Sequence, residues 1–367
     1  MPDPRLDAWA DVLVRYSVNV QPGQTVAITG GVAGEPLIRA VYRRVVRAGG
    51  FPVVIPTFSG LLGDLLREGN DEQIAFVSPL QRFAYEQADV LIHIEAETNT
   101  RSLASVDPDR QVIRQRAHGP LIETYLKRSA SGELRWVLTL YPTDAHAQDA
   151  DMSTEEFAEF VFNAGKLHHP DPVASWQAQA AEQARLIEWL TGKRQIHLTG
   201  PDTDLKLDVT GRTWVNADGT SNFPDGEIFT SPVESSAEGT VRFTYPVSVA
   251  GREIADVWLR FERGRVVEAR AGKGEDYLLR TLDADEGARF LGEFAIGTNF
   301  DITRFTRSIL FDEKIGGTVH MAIGASIPEA GGVNRSAIHW DLICDLRQGG
   351  SLTVDGELFL KDGKIVV

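Results

Sequence analysis

The stretch PGQTVAITGGVAGEPLIRAVYRRVVRAGGFPVVIPTF, Pro22–Phe58, decides the fold of the first half of the chain. Pro22-Gly23 makes a turn, and Thr25–Thr29 is an apolar run of strand length. Leu37, Ile38, Val41, Tyr42 and Val45 recur at the spacing of one helical face, and Gly49-Gly50 stops that helix. Phe51–Phe58 then reads as a second strand. This β-α-β rhythm predicts a mostly parallel sheet covered by helices.

The same rhythm extends on both sides. Leu6, Trp9, Ala10, Leu13 and Val14 give an N-terminal helix, while Val90–Ile94 and Trp136–Leu140 give two more strands. Ser153 and Glu156 form a capping box for a helix through Val161. A long helix runs from Pro172 to about Leu190, with Trp176, Ala180, Ala184, Ile187 and Leu190 as its apolar stripe. Thr191-Gly192-Lys193-Arg194 marks the expected junction. Beyond it the texture becomes strand-like and alternating. Trp258–Phe261 and Arg265–Ala269 flank Glu262-Arg263-Gly264, and Asp355-Gly356 and Asp362-Gly363 are hairpin turns. The expectation is an α/β N-terminal domain with a mostly parallel sheet over residues 1–192. A β-rich α+β C-terminal domain over residues 193–367 should carry the chemistry.

Composition agrees with two domains. The 367 residues are 43% hydrophobic and 24% charged, enough for a real core. The net charge of −15 argues against nucleic acid as a partner and suits a cavity that holds cations or a substrate amine. No apolar run approaches the roughly 20 residues of a membrane span. The N-terminus shows no secretory pattern, and the single Cys344 allows no intrachain disulfide. A cytoplasmic location without membrane attachment is the expectation.

The chemistry-bearing residues lie in the second half. In SAIHWDLICDL, Ser336–Leu346, a strand would place His339, Asp341 and Ile343 on one face and Ile338, Trp340 and Leu342 on the other. His339 and Asp341 suit a divalent metal, and equally an exposed edge strand. His320 interrupts the apolar strand GGTVHMAIG, Gly316–Gly324, as a ligand or as a hydrogen-bonded core histidine. Glu293 sits within FLGEFAI, Phe290–Ile296, where a carboxylate needs a cation, a donor or a raised pKa. Glu227 follows the Pro224-Asp225-Gly226 turn. Two Glu, two His and one Asp suffice for two divalent ions sharing a carboxylate, an arrangement that clamps a scissile carbonyl and acidifies water.

Other features are weaker. His93 and Glu95 stand at the C-terminal end of a parallel strand, where α/β sheets often bind ligands, and where polar strand ends are also common. His168-His169-Pro170 reads as a surface loop. Gly30, Gly31 and Gly34 do not fit G-x-G-x-x-G, no G-x-S-x-G occurs, and Cys344 lies in an apolar strand. Nucleotide binding and serine or cysteine hydrolase chemistry are therefore not expected.

In these blocks the chain resembles the thermophilic metalloaminopeptidase family, of the aminopeptidase T and aminopeptidase S type. The resemblance covers essentially the whole chain, beginning with the N-terminal helix and the segment YSVNVQPGQTVAITG. It is most specific in GRTWVNADGTSNFPDGEIFTSP (Gly211–Pro232), GEFAIGTNFDI (Gly292–Ile302), DEKIGGTVHMAIG (Asp312–Gly324) and NRSAIHWDL (Asn334–Leu342). It implies that Glu227, Glu293, His320, His339 and Asp341 are the metal ligands, with Glu293 bridging. It implies two divalent ions (Zn, Co, Mg or Mn), peptide substrates with a free N-terminus, and a homodimer with an enclosed active-site cavity. The family's usual catalytic tyrosine falls at Ile327, which cannot donate a proton. Ser326, Glu329 and Tyr245 are the candidates to replace it. Arg212, Asn222 and Asn334 are candidate substrate-binding residues. A metal-binding relative without turnover, and another small-peptide metallohydrolase, are the alternatives.

Overall fold

The computed structural model describes residues 3–249 and 252–367. Two compact units form. The first comprises the chain up to Trp176 together with Gly219–Pro224; the second is Gln177–Asp218 with Asp225–Val367. The long helix Pro172–Leu190 therefore belongs to both, whereas the sequence suggested a junction after it. Side-chain partners give the reason. Trp176 Nε1 donates to Gly165 O at 3.0 Å in the first unit. One turn later, Gln179 Nε2 donates to Thr298 O at 3.2 Å in the second.

The first unit holds a parallel sheet in the order Phe51–Thr57, Thr25–Gly31, Val90–Glu95, Arg135–Leu140, Asn222–Phe223. The last, two-residue strand explains why Gly219–Pro224 returns to this unit. Pro52 and Pro56 cannot donate to a ladder, which suits the edge position of Phe51–Thr57. The helix Glu35–Arg47 buries Leu37, Ile38, Ala40, Val41 and Val45, while Tyr42, expected on that face, is exposed. The capping box at Ser153 and Glu156 is formed from both sides. Among the described residues no helix is long and apolar enough to cross a membrane.

The second unit contains, among its described residues, a nine-stranded sheet and a five-stranded antiparallel sheet. The latter runs in the order His339–Asp345, Thr318–Gly324, Leu291–Gly297, Glu227–Thr230, Val215–Ala217. Both sheets feed one apolar core. The five-stranded sheet contributes Ile228, Phe294, Ile296, Val319, Met321, Ile323, Trp340 and Leu342. Because side chains alternate along a strand, the residues between these point to the other face. Glu227, Glu293, His320, His339 and Asp341 are those residues.

Candidate metal centre

Cross-strand register assembles the site. Glu293 pairs with Ala322, and Ala322 pairs with Asp341, so the two acids stand in one row with a methyl between them. Two strand spacings, roughly 9.5 Å, separate their backbones. The small Ala322 lets the two carboxylates lean over it toward each other. Gly297 pairs with Glu227, and Gly324 with His339. Gly226, at φ +120°, turns the chain into the Glu227 strand. A Cβ there would lie 2.6 Å from that of Asn299.

Both histidines are oriented from behind. His320 Nδ1 lies 3.0 Å from Glu313 O and His339 Nδ1 lies 2.8 Å from Ala325 O. A carbonyl only accepts, so each Nδ1 carries its hydrogen, and each Nε2 turns to the carboxylates. His320 Nε2 lies 3.5 Å from Glu227 Oε2 and 3.5 Å from Glu293 Oε1. His339 Nε2 lies 3.1 Å from Glu293 Oε2 and 3.5 Å from Asp341 Oδ1.

A lone-pair nitrogen facing carboxylate oxygens is repulsive unless a cation lies between them. Without metal, that cation is a proton. Burial disfavours charge on His320, but Glu227 and Glu293 outweigh it and hold the imidazole up to about 10. For His339, Asp341 and Glu293 overcome burial in the same way and hold it at about 11. Burial would raise the Glu293 carboxyl, yet the two histidines bring it down to about 2. Glu227 Oε2 and Asp341 Oδ1 are also buried with no hydrogen-bond partner. Orphaned buried carboxylate oxygens beside Nε2 lone pairs fit divalent ions well.

Two groups of residues are arranged as a metal ion would need. In Glu293, His339 and Asp341, one ligand atom from each lies within 4.8 Å of the others; Glu313, His320 and Asp341 form a second such group. Asp341 is common to both, and Glu293 contacts both histidines. The resemblance names Glu293 as the bridge; in the structure Asp341 is the residue common to both groups. The reading from sequence missed Glu313 and Lys314 entirely. Lys314 is fully buried, its Nζ against Glu313 Oε1 and 3.6 Å from Glu227 Oε1. Burial works against its charge, but Glu313 and Glu227 hold the ammonium protonated. The available signal was the run Asp312-Glu313-Lys314 between Ile309-Leu310-Phe311 and Ile315.

The remaining candidates lie as follows. The Arg212 guanidinium pairs with Glu234 Oε2 at 2.6 Å. Asn334 Nδ2 donates to the carbonyls of Gly287 and Gly324 at 2.9 and 2.6 Å, holding loops together. Asn222 belongs to the parallel sheet of the first unit, paired with Leu138. Ile327 N donates to Ser231 Oγ at 3.1 Å. Ser326 Oγ accepts from Asn334 N at 3.3 Å, and Glu329 is exposed. The Tyr245 hydroxyl is engaged by Asp345 Oδ2 at 3.1 Å and by Arg347.

A family model described as thermophilic metalloprotease (M29) matches residues 2–365. Aminopeptidase 2 of Geobacillus stearothermophilus is 28% identical, over 98% of this chain and 95% of that protein. Aminopeptidase T of Thermus thermophilus is 27% identical, over 88% and 85% respectively. Among solved structures, wild-type AmpT from Thermus thermophilus superposes with a TM-score of 0.86 at 24% identity, covering 99% of both chains. A 2,5-dihydroxypyridine dioxygenase from Pseudomonas putida KT2440 shares the fold with a TM-score of 0.57 at 15% identity, over 99% of this chain and 97% of that one.

Proposed function

Since the chain belongs to the thermophilic metalloprotease family and is a hydrolase that depends on divalent metal, we propose that it is an aminopeptidase with a two-ion site. The observation that carries this reading is the pair of ligand groups joined through Asp341, with Glu293 touching both histidines. Glu293, His339 and Asp341 would hold one ion; Glu313, His320 and Asp341 would hold the other, with Glu227 closing the set beside His320. Two divalent ions, when bound, supply Lewis-acid polarisation of the scissile carbonyl and activate water as the nucleophile.

The chain's own residues do the rest. Carbonyls of Glu313 and Ala325 fix the histidine tautomers, so Nε2 is always the ligating atom. A carboxylate of the set, or a bound ion, would hold the free α-amine of a peptide, an interaction that a blocked N-terminus cannot make. Ile327 gives the developing oxyanion no donor, and Tyr245 is already committed to Asp345 and Arg347. Turnover is accordingly expected below that of a tyrosine-bearing site. Zn, Co, Mn and Mg all suit this ligand set. A homodimer acting in the cytoplasm on peptides completes the proposal, on the family resemblance and the lone Cys344.

The test is release of the first residue from free and N-acetylated peptides by protein reconstituted with each metal. Metal-dependent cleavage of free peptides alone supports the reading. Cleavage of blocked peptides points to another metallohydrolase, and stoichiometric metal without any cleavage points to a disabled relative. His339→Ala should lower bound metal as well as activity; unchanged metal content would remove His339 from the ligand set.

A further inference from the structure

Beside the metal ligands, within the second unit, lies a recess of about 150 Å³. Asp341 forms part of its wall, together with Tyr245, Phe305, Arg307, Ile309 and Ile343. Ile343 follows Asp341 on the same strand face, one strand repeat or roughly 7 Å along. A group held at Asp341 therefore has an apolar neighbour within one residue's reach. The Tyr245 and Phe305 rings are stacked, with centroids 4.7 Å apart and planes 3° from parallel. The Tyr245 hydroxyl is engaged by Asp345 and Arg347, which leaves its ring as wall.

The wall of the recess carries groups of both signs, Arg307 against Asp312 and Asp341. Arg307 Nε lies 3.8 Å from Glu253 Oε2. The Asp312 carboxyl accepts hydrogen bonds from Thr306 N and Oγ1 at 2.7 and 2.9 Å, which turns it into its own loop. An incoming ammonium would meet the Arg307 guanidinium, and an incoming carboxylate would meet Asp341. A neutral apolar group meets two rings and two isoleucines. A volume of about 150 Å³ is enough for one six-membered ring, here against a wall that is part apolar and part charged.

We infer that this recess receives the side chain of the substrate's first residue and selects neutral branched-aliphatic or single-ring aromatic residues over lysine, arginine, aspartate and glutamate. The inference rests on the aminopeptidase reading and adds its substrate class. Filling an apolar pocket discriminates by about 10–200-fold per methylene-sized step. Peptides beginning with leucine or phenylalanine should therefore exceed those beginning with alanine by at least about tenfold in kcat/KM.

The experiment measures kcat/KM for a series of peptides differing only in the first residue, on the metal-loaded full chain. Two variants accompany the wild type. Ile309 is partly exposed, so Ile309→Trp narrows the recess without opening the core. Arg307→Glu reverses the charge in its wall. The expected results are a leucine-to-alanine ratio at least tenfold lower in Ile309→Trp, and a lysine-to-leucine ratio at least tenfold higher in Arg307→Glu. Both ratios staying within twofold of wild type, in protein that still cleaves, overturns the inference and leaves the aminopeptidase intact. A wild-type preference for lysine or aspartate at the first position overturns it as well. Absence of cleavage of every peptide with every metal overturns the aminopeptidase reading and the inference with it.

Discussion

Lys314→Met tests the electrostatics of the site most directly. The substitution keeps most of the buried aliphatic volume and removes the ammonium that Glu313 and Glu227 share. In metal-free protein it leaves the Glu227 and Glu313 carboxylates with protonated His320 as their remaining counter-charge. Removing one partner from a buried ion pair costs about 3–5 kcal/mol. For a unit of this size each kcal/mol moves Tm by roughly 2–4 °C, so metal-free Lys314→Met should melt roughly 6–20 °C below metal-free wild type. Bound divalent ions replace the missing charge. The metal-saturated variant should then recover most of that loss, and its rise in Tm on loading should exceed that of the wild type. Calorimetric scans of chelator-treated and Zn-loaded protein, with metal content measured in parallel, supply the comparison. Equal losses in both forms would mean that Lys314 acts by packing alone. A metal-free variant within about 2 °C of wild type would refute the charge argument altogether.

Ile327→Tyr should raise kcat at least tenfold with KM little changed, since one well-placed oxyanion donor is worth about 10²–10³ in rate; steady-state kinetics on a leucyl peptide would show it. Gly226→Ala places a Cβ 2.6 Å from that of Asn299 at φ +120° and should destabilise by about 1–3 kcal/mol while shifting Glu227, read by thermal melts and by metal content. Glu95 should make stability depend on pH: burial, then the charge of Glu97, raise its carboxyl to about 7 from an ordinary 4.5. The folded state therefore favours the protonated form. This contribution is fully present below about pH 4.5 and is lost as pH rises through about 7, so ionised Glu95 destabilises by up to about 3 kcal/mol at pH 8. Glu95→Gln should raise the urea midpoint more at pH 8 than at pH 5, and an equal gain at both values would rule this cause out.

Much of this molecule is written in local pattern. The first strand-helix-strand unit, the capping box at Ser153 and the long helix Pro172–Leu190 all follow from spacing and turn residues, and all form. Alternation along Leu291–Gly297, Thr318–Gly324 and His339–Asp345 sorts core residues from polar ones strand by strand. Local pattern failed where burial is sparse or comes from distant chain. The helix Pro108–Ala130 escaped the periodicity reading because it buries only His118 and Leu121 and contains Pro120. The unit boundary inside the long helix depends on the separate partners of Trp176 and Gln179.

The sequence alone determined which residue types face away from the core, because side-chain direction in a strand is set by parity. It left open which of those residues meet. That Glu293 and Asp341 lean together over Ala322, and that Asp341 belongs to both candidate groups, depends on register between strands far apart in sequence. That Glu313 and Lys314 join them depends on a connection after a four-residue helix, where no period marks direction. Strand parity is fixed by the backbone of each residue and its neighbours, whereas a metal centre is a coincidence in space that only the folded sheet can arrange.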